Sequence, residues 1–232
     1  IIYIIPKVTG ALVSSYTVEY GELKVADETQ GYLVRDEQVY VSAASGKANR
    51  YIKGGTLVRA GTTVMEVTGS SESEVSAKYT DMLTRLGGDA VSTSDFSVAK
   101  GGVISYYADG YEGKIRPDNM ENGTYEYFSK LSQDNVLDLA RNSIAKGEPV
   151  FKVADRTKWY IVCFIDKKNL GRYTKDQEVT VEFEDDFVRA KVYKADEQDG
   201  KGRVILVTDY YYEKFARMRV ADISLVTDSG KG

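Results

Sequence analysis

The stretch YVSAASGKANRYIKG, residues 40–54, is echoed by FSVAKGGVISYYADG, residues 96–110. Shifted by 56, Tyr40 falls on Phe96, Ala43 on Ala99, Gly46 on Gly102, Tyr51 on Tyr107 and Gly54 on Gly110. A second match follows at a shift of 86, where Ala60-Gly61, Val64 and Val67 fall on Lys146-Gly147, Val150 and Val153. The shift has grown by 30, so the second copy carries an insertion of 30 residues between Gly110 and Gly147. Each copy reads as strand, glycine turn, strand, glycine turn and closing strand, with glycine where the chain reverses. Neither copy can bury its apolar face alone, so the two must pack as a pseudo-twofold sandwich. Coincidence among glycine-rich strands is the competing account. The matches fall on turn and core residue types in one order, which favours a repeat.

Outward from the repeat, the chain is strand-rich. Ser15–Lys24, Gln38–Ala43, Gly55–Val58 and Thr63–Val67 alternate or run apolar between glycines, as half-buried strands do. Between the copies, Val75, Tyr79, Met82, Leu83 and Leu86 recur at helical spacing and Gly87-Gly88 stop them, which predicts a helix within about 70–87. The insertion predicts a second helical region over about 117–146, with Val136, Leu137, Ala140 and Ile144 on one face and Ser132 or Asp134 as cap. From Lys158 onward the pattern is again strand. Trp159–Ile165 (WYIVCFI) is continuously apolar and so needs cover on both faces. With Glu178–Phe183, Phe187–Tyr193, Gly202–Thr208 and Arg217–Val226 it makes about five strands, enough for a small closed barrel.

Composition narrows the function. The 232 residues include no His and one Cys, Cys163, which excludes His-based triads, His-ligated metals and disulfide frameworks. The 31 basic and 35 acidic residues nearly cancel, so nucleic acid is a poor partner. The longest apolar run, Ile1–Pro6, is too short to span a bilayer.

In their order, these motifs resemble HlyD-type membrane fusion proteins, the periplasmic adaptor subunits. Val41–Gly46, Tyr51–Gly54 and Val58–Val67 look like the first lipoyl-like half-motif of that family. Ala99–Glu112 is similar to the variant of Gram-positive members, and Lys146–Val153 to the exit strand. Trp159–Asp166, Leu170–Val179 and Val181–Phe183 resemble the opening of its β-barrel domain. The resemblance implies a mostly β fold: residues 38–155 a lipoyl-like barrel-sandwich hybrid with short helical insertions, and residues 156–232 a β-barrel. It also implies that the N-terminal segment 1–37, around Tyr16–Lys24, lends the barrel a strand. The implied role is non-enzymatic: an extracytoplasmic adaptor, anchored in the membrane by sequence before Ile1, that meets an inner-membrane transporter or other envelope proteins and is a candidate homo-oligomer. Two departures stand out. The linker Thr68–Asp95 allows a helix of only about 25 Å, too short for a long periplasmic hairpin, which favours an envelope or division scaffold as the alternative. The insertion in the second half is extra.

No residue set reads as catalytic, cofactor-binding or metal-ligating. Lipoyl and biotinyl carriers share the sandwich, but Lys78, the one Lys between Val67 and Asp95, lies in a helical pattern without the flanking residues of a modified lysine. Glu182, Glu184, Asp185 and Asp186 read as a solvated hairpin turn, and Cys163 as a core residue. Asn122-Gly-Thr124 matches a glycosylation acceptor. Tyr106, Tyr107, Asp109, Tyr111 and Glu112, beside the insertion, are the candidate partner contacts, and Tyr210–Tyr212 form a second aromatic cluster. Exposed tyrosine favours interfaces, although each can equally pack over its own turn.

Overall fold

In the computed structural model, which describes residues 18–19, 22–70, 74–210 and 215–231, the two copies of the repeat interleave. The chain opens with β1 (Val18–Glu19) and the long β2 (Glu22–Val34), then enters the sandwich through β3 (Glu37–Ser42), β4 (Gly46–Arg50), β5 (Leu57–Val58) and β6 (Met65–Thr68). Helix α1 (Ala77–Leu86) and β7 (Val91–Thr93) link the copies. The second copy supplies β8 (Gly102–Ser105), β9 (Tyr107–Ala108), helix α2 (Tyr125–Phe128), β10 (Leu137–Asp138), β11 (Ser143–Ile144) and β12 (Pro149–Ala154). The barrel follows as β13 (Trp159–Ile165), β14 (Glu178–Glu182), β15 (Phe187–Gln198), β16 (Lys201–Thr208) and β17 (Val220–Lys231).

The repeat is written into the strand register. β4 pairs with β6 so that Lys47 faces Thr68 and Ala48 faces Val67. β8 pairs with β12 so that Val103 faces Ala154 and Ile104 faces Val153. These are the same positions shifted by 56 and 86. The short strands are exchanged: Leu57–Val58 of the first copy pairs with β8, and Ser143–Ile144 of the second pairs with β4. Each copy therefore completes the other's sheet, which is why neither half has an edge-free core of its own. The two matched glycines share one task. A Cβ on Gly46 would strike the Thr68 carbonyl, and one on Gly102 the Ala154 carbonyl, so both strands start where only glycine fits.

Helix α1, in the link between the copies, packs back onto the sandwich. Tyr79, Met82 and Leu86 of α1 are buried in the sandwich core with Tyr106, Leu139 and Phe151. Three such side chains contribute about 1.5–3 kcal/mol each by burial. Gly87 ends the helix in the left-handed conformation and returns its N–H to the Leu83 carbonyl. The helix occupies the later part of the expected 70–87 span, of which residues 71–73 lie outside the described residues.

The second expected helix does not form. Residues 117–146 hold two short 3-10 turns (Met120–Asn122 and Gln133–Asn135), one turn of helix at α2, and the extended β10 and β11. The spacing of Val136, Leu137 and Ile144 had a different cause. Leu137 pairs with Ala108 and Ile144 with Gly46, so edge-strand pairing won over helix propensity, and Ala140 is exposed.

Six strands close the barrel in the order β2-β13-β16-β15-β14-β17, with β17 returning to β2. The strand from the N-terminal side is Glu22–Val34; of the expected Tyr16–Lys24 stretch, Tyr16, Thr17, Tyr20 and Gly21 lie outside the described residues. Trp159, Ile161, Cys163 and Ile165 point into the barrel with Leu33, Val204 and Leu206. Tyr160, Val162 and Phe164 point outward and are buried too, beneath Ile115, Met120, Phe128 and Leu131 of the insertion. The insertion thus leaves the sandwich and covers the outer face of β2, β13 and β16.

Candidate functional site at the domain junction

Where sandwich meets barrel, six charged side chains are buried together: Arg35, Glu37, Asp109, Glu112, Lys152 and Arg219. Arg35 and Glu37 flank the crossover from β2 to β3. Lys152 lies in β12, Asp109 and Glu112 follow β9, and Arg219 precedes β17. Glu37 accepts from Arg35 Nε at 2.9 Å and Lys152 Nζ at 2.8 Å through Oε1, and from Arg219 through Oε2 at 2.9 Å. Asp109 pairs with Arg219 at 2.5 Å. Arg219 also donates to the Leu33 carbonyl, and Arg35 to the Phe215 and Met218 carbonyls. Glu112 accepts the backbone N–H groups of Asp109 and Gly110 and takes Lys152 at 3.2 Å.

Three positive and three negative groups balance, which is how charges survive burial. Burial alone would raise the Asp109 and Glu37 carboxyls, but Arg219 beside Asp109, and Arg35, Lys152 and Arg219 around Glu37, hold both below the usual carboxylate range. Glu112 is pushed up, first by burial and then by the charge of Asp109. The cluster is a structural network, with every group paired within the chain.

The residues singled out from the sequence divide accordingly. Asp109 and Glu112 are turned inward at 2% and 1% exposure, so neither presents a carboxylate to a partner surface. Tyr106 is buried and donates to the Ile52 carbonyl at 2.6 Å. Tyr107 and Tyr111 are half-buried; Arg217 stacks over the Tyr107 ring at 4.4 Å and Tyr111 packs on the cluster under the insertion. Tyr210 is exposed, and Tyr211 and Tyr212 lie outside the described residues. Sequence reading missed Arg35, Glu37, Lys152 and Arg219. One signal was present: Lys152 interrupts the apolar exit strand PVFKVA, where an unpaired lysine would be costly.

The remaining candidates take plain places. Lys78 lies in the first turn of α1 and is exposed. Cys163 is fully buried and donates to the Val204 carbonyl at 3.3 Å, and burial pushes its thiol up. The acidic turn is closed by Phe183 N–H donating to the Asp186 carbonyl. Asn122 is exposed and Thr124 caps α2 by accepting from Tyr127 N–H. Among the described residues, no group of three His, Cys, Asp or Glu is placed to hold a metal ion, and no helix is long and apolar enough to cross a membrane.

Among solved structures, MacA from Actinobacillus actinomycetemcomitans aligns at 13% identity over 93% of this chain and 83% of its own, with a TM-score of 0.40. ZneB from Cupriavidus metallidurans aligns at 13% identity over 95% and 76%, with a TM-score of 0.36. The membrane fusion protein Spr0693 from Streptococcus pneumoniae R6 aligns at 10% identity over 88% and 98%, with a TM-score of 0.31. No curated protein matches the chain. Two family profiles do: the RND-related barrel-sandwich hybrid domain over residues 37–155, and the RND-related β-barrel domain over residues 159–229. With both domains matched in sequence, in the order the fold shows, the chain belongs to the RND-related family of barrel-sandwich hybrid and β-barrel proteins.

Proposed function

We propose that the protein is a non-enzymatic adaptor of an export or efflux assembly, held at the extracytoplasmic face of the cytoplasmic membrane. It would act by contact with an inner-membrane transporter through its sandwich and barrel surfaces. The observation that carries the reading is the match of both RND-related domains, adjacent and in order. Tyr107 and Tyr111, beside the insertion, are the side chains of the expected contact set that remain half-accessible to a partner. A cell-envelope or division scaffold is the second reading. It is favoured by α1, whose apolar face is sealed into the sandwich core; among the described residues of the linker, no hairpin projects that could bridge to a distant channel. Crosslinking of the full-length protein in native membranes, followed by identification of what co-purifies, separates the two. A transporter permease or ATPase supports the adaptor. Wall-synthesis or division proteins without a transporter overturn it and support the scaffold.

A further inference from the structure

We propose that residues 111–136 form a strap that, together with the buried six-charge cluster, fixes sandwich and barrel in one relative orientation. The proposal does not depend on whether the partner is a transporter or an envelope protein. Three sets of contacts carry it. First, the strap is anchored in both bodies. It begins after Gly110 and ends at β10 in the sandwich, while its Ile115, Met120, Phe128 and Leu131 are buried on the barrel face made by Tyr32, Val34, Tyr160, Val162, Phe164 and Ile205.

Second, its polar ties reach three separate barrel elements. Arg203 of β16 donates to the Glu121 and Gly123 carbonyls at 2.6 and 3.3 Å. Lys194 of β15 pairs with the Glu121 carboxylate at 2.8 Å, and Tyr193 donates to it at 3.0 Å. Gln133 donates to the Arg217 carbonyl and accepts from Arg219 N–H, just before β17. Third, the two crossovers between the bodies are tied to each other. Asp155 N–H donates to the Asp36 carbonyl at 2.9 Å, and Lys100 bridges both carboxylates at 3.1 Å.

Apolar contact alone tolerates sliding. A buried ion network does not, because each charge is compensated in one register only. Arg219 is the keystone: it contacts Glu37 and Asp109 of the sandwich with its guanidinium and Gln133 of the strap with its backbone. Domains joined by short linkers move relative to one another unless their interface is large and apolar. Here the insertion supplies that interface. A displacement imposed on the sandwich then reaches the barrel undamped.

The test is an interdomain distance distribution by pulsed electron spin resonance. Spin labels are placed on the full protein at Lys78→Cys in the sandwich and Phe187→Cys in the barrel, both exposed, while native Cys163 stays buried. One narrow distance is expected for the parent. Replacing residues 117–132 by a short glycine-serine linker is expected to at least double the width of the distribution. The pair Glu121→Ala and Gln133→Ala, which cuts polar ties without opening the apolar contact, is read the same way and covers the case in which the replaced chain does not fold. A broad distribution in the parent, or a folded strap variant as narrow as the parent, overturns the proposal.

Discussion

Replacing Arg219 by Met tests the junction most directly. The guanidinium is 1% exposed and holds Glu37 at 2.9 Å, Asp109 at 2.5 Å and the Leu33 carbonyl at 2.8 Å. Methionine fills much of the volume but supplies no charge and no donor. The cluster then carries one net negative charge in a place that water does not reach, and Asp109 loses its cationic partner. Breaking one side of a buried pair costs about 3–5 kcal/mol. With a urea slope of about 3 kcal/mol/M for a chain of this size, the midpoint should fall by about 1–1.7 M. The loss should also depend on pH. In the parent, Asp109 lies below its ordinary value because of Arg219, so its contribution is present above the unfolded carboxylate pKa and lost as pH falls through the folded one. Without Arg219, burial raises Asp109 and the carboxyl takes a proton, so the gap between parent and variant should narrow toward about pH 4. Adding Asp109→Asn should cost less than the sum of the two single changes, because the two side chains act as one pair. Urea titrations of the four proteins at neutral and acid pH provide the measurement. A loss under about 1 kcal/mol at neutral pH, or one that does not change with pH, would refute the reasoning.

Other expectations follow from neighbouring contacts. Phe128→Ala, which removes a ring packed in tilted contact with Tyr32 and Phe164 at centroid distances of 5.3 and 5.9 Å, should cost about 3–5 kcal/mol and lower the melting temperature by roughly 6–20 °C in calorimetry; an unchanged melting temperature would mean the insertion does not seal the barrel face. Gly102→Ala pushes a methyl into the Ala154 carbonyl and should destabilise by about 1–3 kcal/mol, and Gly46→Ala should do the same at Thr68; equal tolerance of alanine at both would contradict the register. Acid titration of the parent followed by tryptophan fluorescence should show opposed effects. Glu37 and Asp109, both lowered, give stability that is lost as pH falls through their folded values. Glu112, raised, gives stability that is present below its unfolded value and lost as pH rises through its folded one. The fluorescence transition should therefore lie below the ordinary carboxylate range, and a transition near neutral pH would count against the network.

The sandwich was legible in the sequence because its geometry imposes residue types at fixed places. Gly46 and Gly102 each abut a carbonyl, and Val67 and Val153 occupy one register. The barrel's strands were legible from alternation, and the run Trp159–Ile165 already required cover on its outer face. What provides that cover was not legible. The segment 136–144 has apolar residues at spacings that suit helix and strand alike, and only pairing with β9 and β4 decides between them. The charged cluster was hidden for a different reason. Arg35, Asp109, Lys152 and Arg219 come from segments far apart in sequence; Lys152 stands out within its apolar strand, but Arg35, Asp109 and Arg219 each alone look like solvated surface residues, and only the fold brings the compensating charges into contact.

The crossover between the two domains has a consequence for how the chain folds. The barrel strands β2 and β13 are neighbours, Val34 facing Tyr160, yet the whole sandwich lies between them in sequence. Joining them across an open loop of roughly 125 residues rather than about 8 costs about 2 kcal/mol more in chain entropy. β3 and β12 remove most of that burden, because their pairing sets Glu37 opposite Ala154 at the mouth of the sandwich. Once the sandwich has folded, it hands β2 and β13 to each other like the two ends of a clasp. The sandwich should therefore acquire hydrogen-exchange protection before the barrel does, and a change that slows its folding should delay barrel closure by the same factor.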